Sequence, residues 1–222
     1  MALDIMWFTR RKPKGASPTS LELETGPRPS PGFELVMKML SSLESPAVLD
    51  LGNSSTENVR FLSEHAADVT LHDLFRTANG ETGQRSTPFR FDLSVADLLP
   101  EGDRIFDLIL LWDLIHYFDR ETFELFGLRL SELCRPGALV FLLAANHAPL
   151  PWQPIHFRIE EVDTLHYMVP PGDLAESPRL STREVESRMN FFSPLRLFQL
   201  RNGLQEFLFR YEAEENGGGT SP

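Results

Sequence analysis

Apolar and polar positions along this chain repeat with two different periods, and the changes of period mark its elements. Ala47–Leu51 is a short, mostly apolar run that leads into Gly52. From Ser54 to Ala66 the apolar residues Val59, Phe61, Leu62 and Ala66 fall mostly on one face of a helix, and Val69 and Leu71 then alternate into Asp73. Phe89–Asp92 (FRFD) predicts another strand that ends in a carboxylate. Phe106–Asp113 (FDLILLWD) is almost continuously apolar, as a strand covered on both faces must be. Ile115–Leu133 predicts a long amphipathic helix, and Cys134–Ala145 a Pro-Gly turn running into a further buried strand. Ser181–Met189 predicts a helix. Leu195–Leu200 and Leu204–Tyr211 flank Arg201-Asn202-Gly203, and Asn-Gly there is a hairpin signal because both residues tolerate positive φ. Strand and helix thus alternate, which predicts an α/β, doubly wound, seven-stranded sheet. It should be mostly parallel, with an antiparallel last strand in a C-terminal hairpin.

The remaining segments set the boundaries. Residues 1–32, rich in Pro, Gly, Ser and charge after the first eight, read as a mobile N-terminal arm. Residues 33–212 form the expected domain, opening with a helix over Phe33–Leu43 that aligns Val36, Met37 and Leu40. Residues 74–87 read as a polar loop. Residues 146–179, broken by Pro149, Pro151, Pro154, Pro170, Pro171 and Pro178, form an insertion or cap near one edge of the sheet, with a small hairpin around Glu160–Thr164. Trp152, His156, His166 and Tyr167 in it are candidate substrate-facing groups. Residues 213–222 form a flexible tail.

The candidate chemistry sits at strand ends. A strand that feeds a helix N-terminus through a glycine turn presents free backbone N–H groups to a polar ligand. A carboxylate at the tip of the next strand can hold both hydroxyls of a ribose. Gly52 and Asp73 have that layout, although Ser54 and Thr56 stand where a dinucleotide fingerprint has its second and third glycines. Without those glycines, the turn also reads as a plain strand–helix connection capped by Ser54 or Ser55. Four predicted strands end at or near Asp50, Asp73, Asp92 and Asp113; in parallel strands those ends share one edge.

In order and spacing these segments resemble the class I S-adenosylmethionine-dependent methyltransferases, Rossmann-like enzymes, over roughly residues 34–211. VLDLG is similar to the family's first motif, VTLHD to its second strand with a ribose-binding acid, and FRFDLS to the segment that holds the adenine amino group. FDLILLWDLIHYF resembles the fourth strand and following helix, with Ile115-His116 for the usual Leu-His pair. LCRPGALVFL resembles the Leu-x-Pro-Gly-Gly turn and fifth strand, with Ala138 for the second glycine. A bacterial branch with a degenerate glycine motif is the closer likeness. The resemblance implies S-adenosylmethionine as cofactor, held by Asp50, Gly52, Asn53, Ser54, Asp73, Asp92, Leu93, Trp112 and Asp113. His116 is then the candidate base toward a hydroxyl or amine acceptor. The transfer itself is an in-line displacement in which orientation is worth ~7–11 kcal/mol.

Composition narrows the partners. A net charge of −11 disfavours nucleic acid, whose binding rests on phosphate neutralisation; only residues 10–14 form a basic cluster. The six histidines and single cysteine show no metal-ligand spacing, so no metal is expected. With one cysteine there is no internal disulfide, and no run is apolar enough for a membrane span or secretory signal, so a cytoplasmic protein is expected. The expected function is methyl transfer to a small-molecule or protein acceptor, with a homo-oligomer allowed. The alternative is a non-catalytic methyltransferase-like protein that serves as a ligand-binding or protein-interaction module. A nicotinamide-dependent dehydrogenase is a weaker third reading, because its glycine pattern is absent too.

Overall fold

Each described helix begins at a side chain that accepts one of its orphan N–H groups. Ser30 takes the amide of Phe33, Ser55 that of Asn58, Asp119 that of Thr122 and Ser181 that of Glu184. The last is a full capping box, with the Glu184 carboxylate returning to the Ser181 amide. The computed structural model describes residues 23–53, 55–74, 99–100, 104–145, 150–151, 153–172, 174–175 and 180–213.

In chain order the elements are β1 (Gly26–Pro29), α1 (Pro31–Leu40), β2 (Ala47–Asp50), α2 (Thr56–Ser63), β3 (Asp68–Leu71), β4 (Phe106–Trp112), a 3-10 turn (Leu114–Tyr117), α3 (Arg120–Glu132) and β5 (Cys134–Ala145). They continue with β6 (Leu150–Pro151), β7 (His156–Glu161), β8 (Thr164–Met168), β9 (Leu174–Ala175), α4 (Thr182–Arg188), β10 (Ser193–Gln199) and β11 (Leu204–Arg210). The main sheet has six described strands in the order β10-β11-β5-β4-β2-β3. The pairs β2–β3, β2–β4 and β4–β5 are parallel, and β11 runs antiparallel to both β5 and β10. This is the expected mostly parallel, doubly wound sheet with a reversed C-terminal strand. The further strand expected at Phe89–Asp92 lies outside the described residues.

Two buried clusters follow from the alternation of side chains along β4 and β5. Ile109, Leu111, Val140 and Leu142 face α3 and α4 with Phe123, Phe126, Leu130 and Val185. Leu108, Leu110, Trp112, Leu139 and Phe141 face the other way, toward Phe33, Val36 and Leu40 of α1 and Leu62 of α2. The single cysteine, Cys134, is buried in the first cluster; burial pushes its thiol up to about 12, consistent with a core residue.

A second sheet of three strands, β1-β8-β7, covers the α1–α2 side. Phe157, Ile159, Leu165 and Tyr167 point inward from the expected β7–β8 hairpin into the second cluster, while Arg158, Glu160 and His166 bond one another on its outer face. The third strand, β1, comes from the segment expected to be an arm. Gly26–Pro29 pairs with β8, the Ser30 amide bonds the Asp163 carbonyl, and α1 starts two residues earlier than its apolar stripe indicated because Pro31 suits a first helical turn. The predicted helix Ile115–Leu133 is also divided. Asp119 caps a new start for α3, so residues 114–117 stand apart as a 3-10 turn. The hairpin connection is Arg201–Gly203, as expected, with Gly203 at φ +91° and the Asn202 carboxamide accepting the Leu204 amide.

Asn58 holds the small sheet in place. Its side-chain amide donates to the Phe157 carbonyl at 2.8 Å and its side-chain oxygen accepts the Ile159 amide at 2.8 Å, so a residue of α2 completes the inner edge of β7. Replacing Asn58 by Ala strands two buried backbone groups at about 1–3 kcal/mol each. Urea denaturation of Asn58→Ala should show a loss of about 2–5 kcal/mol, and hydrogen exchange should show faster exchange at the Ile159 amide. Unchanged protection there would exclude Asn58 as the tether.

Candidate functional site

In a doubly wound sheet, the crevice opens where the chain reverses its direction of growth, at the carboxyl ends of the strands. Here the chain runs from β2 outward to β3 and then returns to β4 on the other side of β2, so the switch point lies between the ends of β2 and β4. Asp50 ends β2, Trp112 ends β4, and Gly52 and Asp113 follow them. Asp73 lies two residues beyond β3, on the same edge. The structure thus brings together Asp50, Gly52, Trp112 and Asp113, and places Asn53 exposed at the rim. Ser54, Asp92 and Leu93 lie outside the described residues.

Trp112 fills the crevice. A register shift between Leu110 and Trp112 in the β4–β5 ladder ends the regular strand, and Trp112 takes a left-handed backbone at φ +51°. For a bulky residue that conformation costs roughly 1–2 kcal/mol. It lays the indole over Gly52, where a Cβ would come within 2.3 Å of Trp112 Cδ1. Only glycine fits beneath this ring. The indole stacks on Phe157 of the small sheet at 5.3 Å and 9°, with Phe33 on another side at 6.2 Å and Phe141 edge-on.

The polar end of the indole is also engaged. Trp112 Nε1 donates to Asp50 Oδ1 at 2.6 Å, and the Gly52 amide donates to the same oxygen at 2.9 Å. Burial raises the Asp50 carboxyl to about 6, against the pull of these two bonds and of the Asn58 side chain. Asp113 is buried beside it, accepts the Ile155 amide through Oδ2 at 2.9 Å and is raised by burial to about 7. Asp50 Oδ2 and Asp113 Oδ1 have no hydrogen-bond partner. Among the described residues, a cavity of about 30 Å³, room for about one water molecule, lies between Gly52, Asn53, Asp113 and the Gln153–Ile155 segment.

His116, the candidate base, is only 1% exposed. Its Nε2 accepts the Ala145 amide at 2.8 Å, which engages the lone pair of a neutral ring and leaves the proton on Nδ1. Burial, with a smaller contribution from the Arg188 charge, lowers it to about 3. The ring fastens the 3-10 turn to the end of β5. Among the cap residues singled out in the sequence, Tyr167 is fully buried against Phe157, His166 pairs with Glu160 on the outer face, and Trp152 lies outside the described residues. The sequence reading missed Phe157 and Asn58, the residues that seat the cap. The alternation Phe157, Ile159 was visible, but nothing local ties it to a helix a hundred residues away. Among the described residues no group of His, Cys, Asp and Glu is placed to hold a metal.

No protein-family model matches the chain, and no curated protein matches it. Among solved structures it is similar in fold to the 1,6-didemethyltoxoflavin-N1-methyltransferase of Burkholderia thailandensis, determined with its substrate and S-adenosylhomocysteine. That match has 16% identity, a TM-score of 0.47, and covers 82% of this chain and 79% of that one. It is similar also to the N-methyltransferase NodS of Bradyrhizobium japonicum WM9 (14% identity, TM-score 0.47, 81% and 94% covered). A third is an S-adenosylmethionine-dependent methyltransferase of Mesorhizobium loti (13% identity, TM-score 0.49, 79% and 96% covered). The sheet order and the reversed last strand agree with the Rossmann-like architecture expected from the sequence.

Two carboxyls whose pKa is raised in the folded state make stability depend on pH. Asp113 is raised from 3.8 to about 7, so its contribution is intact below pH 3.8 and is lost as pH rises through about 7. Asp113→Asn removes that dependence while keeping an acceptor for the Ile155 amide. The variant should therefore gain on the wild type by on the order of 3 kcal/mol between about pH 4 and pH 8, as measured by denaturant titrations across that range. A difference that does not change with pH would rule out a carboxyl that ionises in this window.

Proposed function

We propose that this protein uses the class I methyltransferase fold as a non-catalytic binding module, with the nucleoside crevice closed by its own Trp112 and cap. The observation that carries this reading is the indole seated over Gly52 and bonded to Asp50, which leaves about 30 Å³ at the switch point. The engaged lone pair of His116 supports it, because a base needs a free one. A net charge of −11 keeps nucleic acid out of the set of partners. No described helix is long and apolar enough to cross a membrane, and the buried thiol of Cys134 suits a reducing cytoplasm.

One observation favours the second reading, an S-adenosylmethionine-dependent methyltransferase acting on a small molecule or protein. The left-handed backbone of Trp112 is strained, and strain of this kind gathers at elements that move in function. If the indole swung away, Asp50 and Asp113 would line an open crevice with Gly52 at its base.

Calorimetric titration of S-adenosylmethionine and S-adenosylhomocysteine into the full chain separates the two. The wild type should give no binding heat up to about 1 mM. Trp112→Gly removes the ring and suits the positive φ, so it should bind at least one of the two. A wild type with a Kd of about 10 μM or below would overturn the proposal in favour of the enzyme.

A further inference from the structure

A sizeable cavity lies away from the closed crevice, between β1, the start of α1 and the β10–β11 connection. It measures about 500 Å³, within the range of small-molecule sites. Arg28, Pro29 and Pro31 form one wall among the described residues, and Gln199, Arg201 and Asn202 contribute to the other. From these groups we infer a second ligand site, a pocket for a small organic oxyanion whose carboxylate or phosphate is held between Arg28 and Arg201.

The chemistry of the lining supports an anion specifically. Arg201 sits exposed in the hairpin connection and makes no ion pair or side-chain hydrogen bond among the described residues. Arg28 pairs only through Nη2, at 3.3 Å, with Glu24, whose side chain is 81% exposed; such a pair is worth little. Its Nε is buried and has no acceptor. A buried donor on a charged group left without an acceptor is costly, so a group of this kind calls for a partner. A guanidinium with a free Nε–H presents the planar fork that fits a carboxylate or phosphate.

The buried Tyr167 hydroxyl lies close to Arg28 and to Asn202, two residues that line the pocket. The one nearby buried acid, Glu206, does not neutralise the arginines. Its two oxygens are taken by Ser30 Oγ at 2.5 Å and the Gly32 amide at 2.6 Å, behind the wall of the pocket. The prolines and Leu200 give the ligand's organic body an apolar surface. In a chain of net charge −11, this is a local reversal of sign. The site is independent of the function proposed above, since none of its lining residues lines the cavity at Trp112.

Benzoate and phenyl phosphate test the pocket, as they share a ring and differ in the anion. Each is titrated into the ¹⁵N-labelled full chain while the arginine Nε–H resonances are followed. At least one should shift the Arg28 and Arg201 signals together in a saturable way. Arg201→Ala, in an exposed turn, should fold with unchanged Tm and bind about tenfold more weakly or worse. Arg28→Lys, which keeps the charge but loses the fork, should also weaken binding. The stronger of the two ligands identifies the anion as carboxylate or phosphate. The inference is overturned if neither compound moves either signal at ~10 mM, or if binding survives both substitutions unchanged. Shifts confined to Arg201 would equally overturn it, since they report surface charge alone.

Discussion

A carboxylate taken out of water must find donors or give up its charge, and the centre of this molecule is arranged around that requirement at Asp50. The residue ends a strand buried on every side, at the place where the sheet changes its direction of growth. Its Oδ1 takes the Gly52 amide and the Trp112 indole N–H. The first bond shapes the turn into α2, and the second pulls a large ring across the crevice. With the ring in place, Phe157 has a flat surface to stack on, and the β7–β8 hairpin has a reason to lie where it does. The same carboxylate in an open crevice would face solvent or ligand; here it is a structural hub, and the acid at the end of β4 is buried in turn beneath Ile155.

Much of this architecture was legible in the sequence because it depends on short-range signals. The unbroken apolar run of β4, the alternation in β3 and the glycine-closed hairpin each act within about ten residues, and each appears where its pattern put it. Helix boundaries were less legible. The apolar face of α3 continues backward through Ile115, but a favourable cap at Asp119 outweighs periodicity, so the helix restarts there. The segment from Gly26 to Pro29 has the proline and glycine of a linker, yet it forms an edge strand, a position where proline is tolerated.

The site was legible in its position but not in its occupancy. Acids at strand ends, and the glycine after β2, can be counted from the sequence. That Trp112 turns inward depends on a register shift and a left-handed backbone, neither of which has a local signature in a bulky residue. His116 shows the same limit. A histidine after a buried strand has the sequence of a base, and only the three-dimensional position of the Ala145 amide determines what its lone pair meets.

Glu206 ties the ends of this fold together. It lies on β11, the last strand described, and its carboxylate holds Ser30 and the Gly32 amide at the opening of the first helix, 176 and 174 residues away. A chain made from its N-terminus therefore displays α1 long before the acid that secures it exists. The apolar stripe Phe33–Leu40 meets its partners on β4 and β5 once Phe141 has been made. The first turn of the helix, by contrast, stays unsecured until Glu206 arrives from the last strand.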